Sequence, residues 1–375
     1  MKMKFATLLA LPLATLAICQ PAQADTITVG AELALTGDYA FAGVPARDGI
    51  MLALDEINQG KEAGNHTIKL LVEDTGSQKQ QAITLMNRFA SSDKALMVLG
   101  PSSSVEGVSV APQANALKIP LLTTTALADD ISRAGPWSFR TPTSPNKLVN
   151  ATVDYIFKKG PTKNVSMVYL RDNEGQLNNK RVAEAAFHKG GAHVDSESVL
   201  GSDTDYQAIL TKFLSKPMDV LYVSLTAEPS ANFIIQARQA GLDKNVRIYG
   251  GGTMGAGRFI AVGGAAVEGV TFGADYFSGS KTPQNEAFVK AFTKRYKHMP
   301  DNYAALGYTA TKLAARAIKA AGPHPTRDEV RNALSKIRNV PVILGNGKFS
   351  FDEGRNPDYG AVLLTVKNGK FTLAE

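Results

Sequence analysis

Short runs rich in β-branched and other apolar residues recur along this chain, at 26–35, 67–73, 95–100, 119–123, 164–170, 219–225, 246–250 and 269–274. Amphipathic stretches with helical spacing lie between them, at 47–58, 78–90, 104–117, 146–159, 178–189, 206–214 and 230–240. Strand-then-helix alternation predicts an α/β fold in which each helix returns the chain to start the next strand in parallel, so that helices flank the sheets. The alternation runs twice, with a break at 140–145 where Thr141, Pro142, Thr143 and Pro145 interrupt it. A chain of 375 residues has room for two such lobes. Beyond 275 the pattern turns helical (284–298, 302–321, 326–338) and ends in a hairpin, 361–366 and 370–373, around Asn368-Gly369. The late helices add no third sheet and are expected to cover the first lobe. The expected lobes are therefore 25–141 with 276–348, and 142–275 with 349–375, meeting at a cleft beside strand C-terminal ends, where open α/β sheets bind ligands.

The first 24 residues read as a secretory signal peptide. Lys2 and Lys4 precede an apolar run at 5–19, and Ala22-Gln23-Ala24 supplies the cleavage site. That run is too short for a stop-transfer helix, and no later stretch reaches about 18 uninterrupted apolar residues. The only cysteine, Cys19, departs with the leader, so the mature protein is held by its core without disulfides. A lipid anchor at Cys19 calls for a small residue before it, and Ile18 stands there; a free periplasmic protein is expected. Loss of Lys2 and Lys4 lowers the formal net charge of +7 by two. The remaining basic residues are scattered on helical faces, Lys158-Lys159 and Lys294-Arg295 being the densest spots, and make no nucleic-acid surface.

Catalytic motifs fail on context. The five histidines (His66, His188, His193, His298, His324) lie far apart, and neither H-E-x-x-H nor G-x-S-x-G occurs, so no metal or cofactor is expected. The run Gly250 to Gly255 fits G-x-G-x-x-G but follows a late strand, and a backbone passing close to a ligand accounts for it better than a dinucleotide. Ser91 to Lys94 fits S-x-x-K but lacks a K-T-G partner. A binding protein is expected, not an enzyme. An exported α/β enzyme remains open as an alternative.

Gly100, Pro101, Ser102, Ser103 and Ser104 stand between the strand-like 95–99 and the helix-like 105–117. A strand thus delivers hydroxyls and free N–H groups to a helix N-terminus, which is an anion site in waiting. Serine is equally at home there as a plain N-cap.

In this setting the chain resembles the branched-chain amino-acid-type solute-binding proteins of ABC importers. The resemblance rests on Leu35-Thr36-Gly37 with Gly43 and Ala53-Leu54-Asp55-Glu56-Ile57-Asn58; Glu73-Asp74; Gly100 through Ser104 with Ala111-Pro112; Ile119-Pro120-Leu121-Leu122-Thr123; Gln236 through Leu242; and Glu268-Gly269-Val270. It implies the type I periplasmic binding fold: two Rossmann-like lobes joined by a multi-crossover hinge, closing on a small carboxylate ligand and docking on permease subunits in the inner membrane. It places the carboxylate-binding serine at Ser104, beside Ser103, with further donors from Thr124, Thr125 and Ala126. In the second lobe the acidic partner of an amino acid's ammonium falls on the Gly250 to Gly252 run, next to Thr253. Thr226 stands where the family often has tyrosine, and Glu174 where it has an aromatic residue. Glu174 is the one candidate to replace the missing carboxylate. Otherwise the ligand has no ammonium, because burying one unpartnered is costly. The glycines would then make room for an aromatic or other organic acid among Tyr39, Phe41, Tyr276 and Tyr303, side chains that core packing would also explain. That acid is favoured over an aliphatic amino acid; a ligand sensor is a further alternative.

Overall fold

The computed structural model describes residues 25–375; the proposed leader, with Cys19, lies outside them. The first half of the alternation gives β1 (Thr26–Leu33), α1 (Ala40–Gly60), β2 (Thr67–Asp74), α2 (Lys79–Ser91), β3 (Met97–Leu99), α3 (Ser104–Ala116), β4 (Leu121–Thr123), α4 (Asp129–Arg133) and β5 (Ser138–Arg140). These strands form one sheet in the order β2-β1-β3-β4-β5, parallel throughout. The second half gives α5 (Pro145–Lys159), β6 (Asn164–Leu170), α6 (Glu174–Lys189), β7 (His193–Val199), α7 (Gln207–Leu214), β8 (Val220–Ser224), α8 (Ala227–Gln239), β9 (Arg247–Gly250), α9 (Gly257–Gly263) and β10 (Thr271–Ala274). After these come α10 (Pro283–Tyr296), α11 (Asn302–Ala320), α12 (Arg327–Ser335), β11 (Val340–Pro341), β12 (Lys348–Phe351), β13 (Pro357–Asp358), β14 (Val362–Lys367) and β15 (Lys370–Leu373).

The second sheet runs β15-β14-β10-β9-β8-β6-β7, with β6 to β10 parallel and the hairpin β14–β15 added antiparallel on β10. The hairpin turn is Asn368-Gly369, both at positive φ as a tight type I′ turn requires. A small third sheet, β11-β12-β13, lies between the late helices and the hairpin in chain order.

The short strands β11, β12 and β13, a third sheet where none was expected, escape the hydrophobic pattern, as do two strands of the large sheets. β7 is an edge strand paired only with β6, and its Asp195 and Glu197 face Lys216 and Lys212, so it carries charge where a central strand would carry apolar residues. β5 is three residues long and ends in Arg140.

α11 docks on α1 at backbone-to-backbone distance. A Cβ on Gly49 would lie 2.0 Å from the Ala304 carbonyl oxygen, and one on Gly307 would lie 2.2 Å from that of Ala46. The late helices thus cover the first sheet through a contact that tolerates no side chain.

The three passages between the sheets are laced together. The Arg140 guanidinium is fully buried and donates to Ser132 Oγ (2.9 Å), the Leu127 carbonyl (2.7 Å) and Asn356 Oδ1 (2.8 Å), with Asp129 2.8 Å away as its counter-charge. Asp275, just past β10, accepts from the Thr143 N–H (3.0 Å) and from the Tyr359 hydroxyl. Burial pushes the Asp275 carboxyl up, against the pull of its Tyr359 and Thr143 donors.

In an ordinary helix, replacing an interior glycine by alanine stabilises by roughly 0.5–1 kcal/mol. At Gly307 the sign should invert: Gly307→Ala is expected to cost about 1–3 kcal/mol, the usual penalty of overpacking, read as a lower urea midpoint at unchanged m-value.

Candidate functional site

The strand C-terminal ends of both sheets converge on one cleft. Its first wall comes from the loop after β1 and the start of α1 (Tyr39, Phe41, Ala42), the loop after β3 and the first residue of α3 (Ser102, Ser104), the loop after β4 (Thr125, Leu127) and Tyr303 of α11. Its second wall is Pro145 and Leu148 of α5, Gly175, Gln176 and Asn179 of α6, and Gly252 and Thr253 after β9. The walls touch. The Tyr39 hydroxyl meets the Asn173 amide, and a Cβ on Gly175 would lie 3.5 Å from Ser104 Oγ. The space they enclose is about 40 Å³.

At the first wall the serine run divides its labour. Ser103 is the N-cap of α3: its hydroxyl accepts from the Glu106 N–H (3.2 Å) and donates to Glu106 Oε2 (2.6 Å), while Glu106 Oε2 also accepts from the Ser103 N–H (3.0 Å). This reciprocal cap turns Ser103 away from the cleft. Ser104 Oγ accepts from the N–H groups of Leu127 and Ala128, both at 3.2 Å. A hydroxyl has two acceptor sites and one proton, so with both acceptors occupied Ser104 presents its O–H. Ser102 Oγ accepts from the Ala34 N–H (3.1 Å) and likewise keeps its proton. The first turn of α3 adds N–H groups that no helix carbonyl can reach. This wall is therefore a set of donors, suited to a carboxylate. Gly100 makes the approach possible: its φ is +103°, and a Cβ there would lie 2.0 Å from the Glu32 carbonyl oxygen.

At the second wall stand two neutral amides. Asn179 Oδ1 accepts from the Tyr222 hydroxyl (3.1 Å), and the one Ser224 proton has Asn179 Oδ1, Gln176 Oε1 and the Gln176 carbonyl within reach, each at 3.1 Å. The Tyr222 bond fixes the Asn179 amide, with its NH₂ beside Gly251. Between the polar ends lie Phe41, Tyr303, Leu127, Pro145 and Leu148. Phe41 packs edge-on to Tyr303 with ring centroids 5.6 Å apart. Among the described residues, no acidic or basic side chain lines this cleft.

Of the expected residues, the structure brings Ser104, Thr125, Tyr39, Phe41, Tyr303, Gly252 and Thr253 together and leaves the others outside the lining. Glu174 is half exposed and paired with Arg181 at 2.9 Å, one helical face away from Gly175 and Asn179, so it supplies no carboxylate here. Thr125 lines the cleft but donates its proton to the Ser102 carbonyl (2.7 Å), which removes it as an anion donor. Thr253 does the same toward the Leu225 carbonyl (2.7 Å). Thr124 is buried and reaches the Pro101 carbonyl; Ala126 is buried and stands 3.1 Å from where a Gly107 Cβ would be. Thr226 sits at the N-cap of α8, and Tyr276 packs in the core edge-on to Phe288. The glycine run makes less room than expected. A Cβ on Gly251 would lie 2.8 Å from Asn179 Nδ2, and one on Gly250 would lie 2.2 Å from Met254 Cε. The residues that sequence reasoning passed over are Ser102, Gln176 and Asn179. The serine run held a signal for Ser102, since one of three must cap the helix and its neighbours then face elsewhere.

A family model described as "Periplasmic binding protein" matches residues 26–370. The chain is similar to a Leu/Ile/Val-binding protein, BraC3, of Rhizobium johnstonii, with 28% identity over 381 residues that cover 100% of both chains. Among solved structures it is similar to a leucine binding protein, LivK, from Thermotoga maritima (24% identity, TM-score 0.86, covering 93% of this chain and 98% of that one). It is also similar to a solute binding protein of an ABC transporter from R. palustris in complex with benzoate (26% identity, TM-score 0.84, covering 93% and 95%).

Burial pushes the Tyr39 phenol up to about 12, even against the Asn173 bond, so that bond keeps its proton throughout ordinary buffers. Tyr39→Phe removes a bridge worth about 0.5–1.5 kcal/mol and should shift the balance between closed and open walls roughly two- to tenfold toward open. The readout is a larger radius of gyration by small-angle X-ray scattering, at unchanged thermal stability.

Proposed function

The chain belongs to the periplasmic binding protein family and is a substrate-binding protein of the branched-chain amino-acid type of ABC transporter, and we propose that its ligand is a small organic acid without an ammonium group. The observation that carries this is the second wall, which presents the neutral amides of Gln176 and Asn179 and, among the described residues, no carboxylate. An ammonium is a donor with no acceptor capacity. Placed there it would lose its hydration and find no counter-charge, at a cost of several kcal/mol. A hydroxyl, carbonyl or second carboxylate on the ligand would instead accept from Gln176 and Asn179. The acid's carboxylate takes the Ser102 and Ser104 hydroxyls and the first turn of α3, and its apolar body takes Phe41, Tyr303 and Leu148.

Relatives with either ligand class are similar to this chain, so relationship alone does not choose between them. The enclosed space of about 40 Å³ is less than either ligand class needs, since a cavity that accepts benzene is nearer 150 Å³ and leucine is as large as benzoate; either is held by walls that close less far than they do here. The aliphatic amino acid is the second reading.

The same proposal has the protein act by binding rather than turnover, in the periplasm after export, with its closed form recognised by inner-membrane permease subunits. The described residues contain no helix long and apolar enough to cross a membrane. The lobes that close are 25–141 with 276–348, and 142–275 with 349–375.

Thermal unfolding against leucine, isoleucine and valine beside benzoate, 4-hydroxybenzoate and cinnamate tests the reading. Ligand at about 100 times its dissociation constant adds roughly 2.7 kcal/mol, a rise of several degrees. A rise with the acids alone is expected; a rise with the amino acids alone would sink the proposal. Ser104→Ala and Ser102→Ala should each weaken the best acid about tenfold or more, the loss of a hydrogen bond to a charged group. Unchanged affinity would remove that serine from the site.

A further inference from the structure

Directly behind the Gly100 to Ser104 loop lie two carboxyl groups that ligand binding, as described, does not use. Glu32 of β1 and Glu106 of α3 are both completely buried. Three of their four oxygens, both of Glu32 and Oε1 of Glu106, have no donor, while Glu106 Oε2 holds the Ser103 cap. Glu32 touches the loop closely: the Cβ position of Gly100 is 3.3 Å from Glu32 Cγ. The charge that bears on Glu32 is that of Glu106, and no cation answers it. Its register neighbour on β2, Glu73, is held by Arg88 of α2 at 2.6 Å. Toward the cleft, Tyr39 stands near Glu106, with Asp38 and Asp172 beyond it.

Two ionised carboxylates cannot share a dry site without a counter-ion, and the least costly arrangement puts a proton on one of them. We propose that Glu32 is protonated in the folded protein, and that this proton is what allows the α3 N-terminus to hold the ligand's carboxylate. The inference rests on the reading that an anion binds at Ser104. Burial, and secondarily Glu106, push the Glu32 carboxyl well above its ordinary value, which agrees with the geometry. Were Glu32 to ionise, the ligand carboxylate would meet a second negative charge beneath the helix end that attracts it. Proton and anion therefore reinforce each other's binding, each raising affinity for the other by the same factor.

The sign for folding follows the same logic. The unfolded chain releases this proton near pH 4.3, while the folded chain keeps it. Glu32 therefore costs nothing at low pH and subtracts from stability as pH rises from the ordinary glutamate range toward its folded value. Glu32→Gln, a neutral group of the same shape, should remove that slope.

The experiment compares wild type and Glu32→Gln in three readouts. Infrared spectroscopy at pH 7 should show a protonated carboxylic acid band that Glu32→Gln lacks. Calorimetric affinity for benzoate should fall for wild type as pH rises, about tenfold once the second charge forms, and stay level for Glu32→Gln. The Tyr39 phenol, pushed up to about 12, keeps its proton throughout ordinary buffers. The unfolding free energy of the unliganded protein should decline with pH for wild type more than for Glu32→Gln. Absence of the infrared band overturns the inference, as do identical affinity profiles for the two proteins. If no acid binds wild type at all, the functional reading fails, while the band and the stability slope still decide the proton on Glu32.

Discussion

The buried guanidinium of Arg140 is the constraint on which the rest of this molecule turns. It stands at the end of β5, where the chain first leaves the first sheet, and reaches both Asn356, beyond β12, and the carbonyl of Leu127 in the cleft wall. A charge this deep is tolerable only with its donors engaged and its counter-charge present, and Asp129, Ser132 and Asn356 meet those demands. Asp275 and Tyr359 join the remaining passages next door through Thr143. The crossing between the sheets is thus a polar core whose donors and acceptors are paired. Because Leu127 is clamped by the same arginine, the serine wall of the cleft is tied to that core. The Leu127 and Ala128 N–H groups that orient Ser104 are tied to it as well.

How much of this could be read from residues alone varies with the kind of signal. The parallel sheets were legible because central strands are buried on both faces and write unbroken apolar runs. β7 was not, since an edge strand half in solvent takes the charges that suit helix and loop equally well. The return of the late helices to the first sheet was legible from the lack of strand pattern, whereas the contact that fixes it, Gly49 and Gly307 against opposing backbones, becomes readable only once the two helices are paired. The residues that carried the family resemblance are largely scaffold: Asp74 accepts from the N–H groups of Leu35, Thr36 and Gly76 and from the Thr36 hydroxyl, tying the loop after β1 to β2.

The cleft was legible on one wall. A serine run before a helix announces donors, and Ser104 is one. On the other wall the choice of Glu174 rested on its position in the chain, and helix geometry decides otherwise: Glu174 and Arg181, seven residues apart, share the outer face, while Gly175, Gln176 and Asn179 share the inner one. Polar residues at 176 and 179 look like an ordinary solvated helix face until Tyr222 is seen to hold the Asn179 oxygen and Ser224 to sit between the two amides.

Under the proposed function, these neutral amides let the site select without a charge on its second wall. A carboxylate opposite the anion site would select for amino acids by attraction. Neutral amides in its place leave an ammonium without a counter-charge, and the gap between the two ligand classes then comes mostly from the penalty on the wrong one. The amide arrangement needs no counter-ion when the cleft is open, so the free protein carries no unpaired charge across the hinge motion. Closure is then driven by burying Phe41, Tyr303 and Leu148 on the ligand's apolar body and by completing hydrogen bonds at its two ends. A ligand too short to reach both walls completes one set only, and the amide donors left unmet in the closed cleft make length, as well as charge, part of what this site reads.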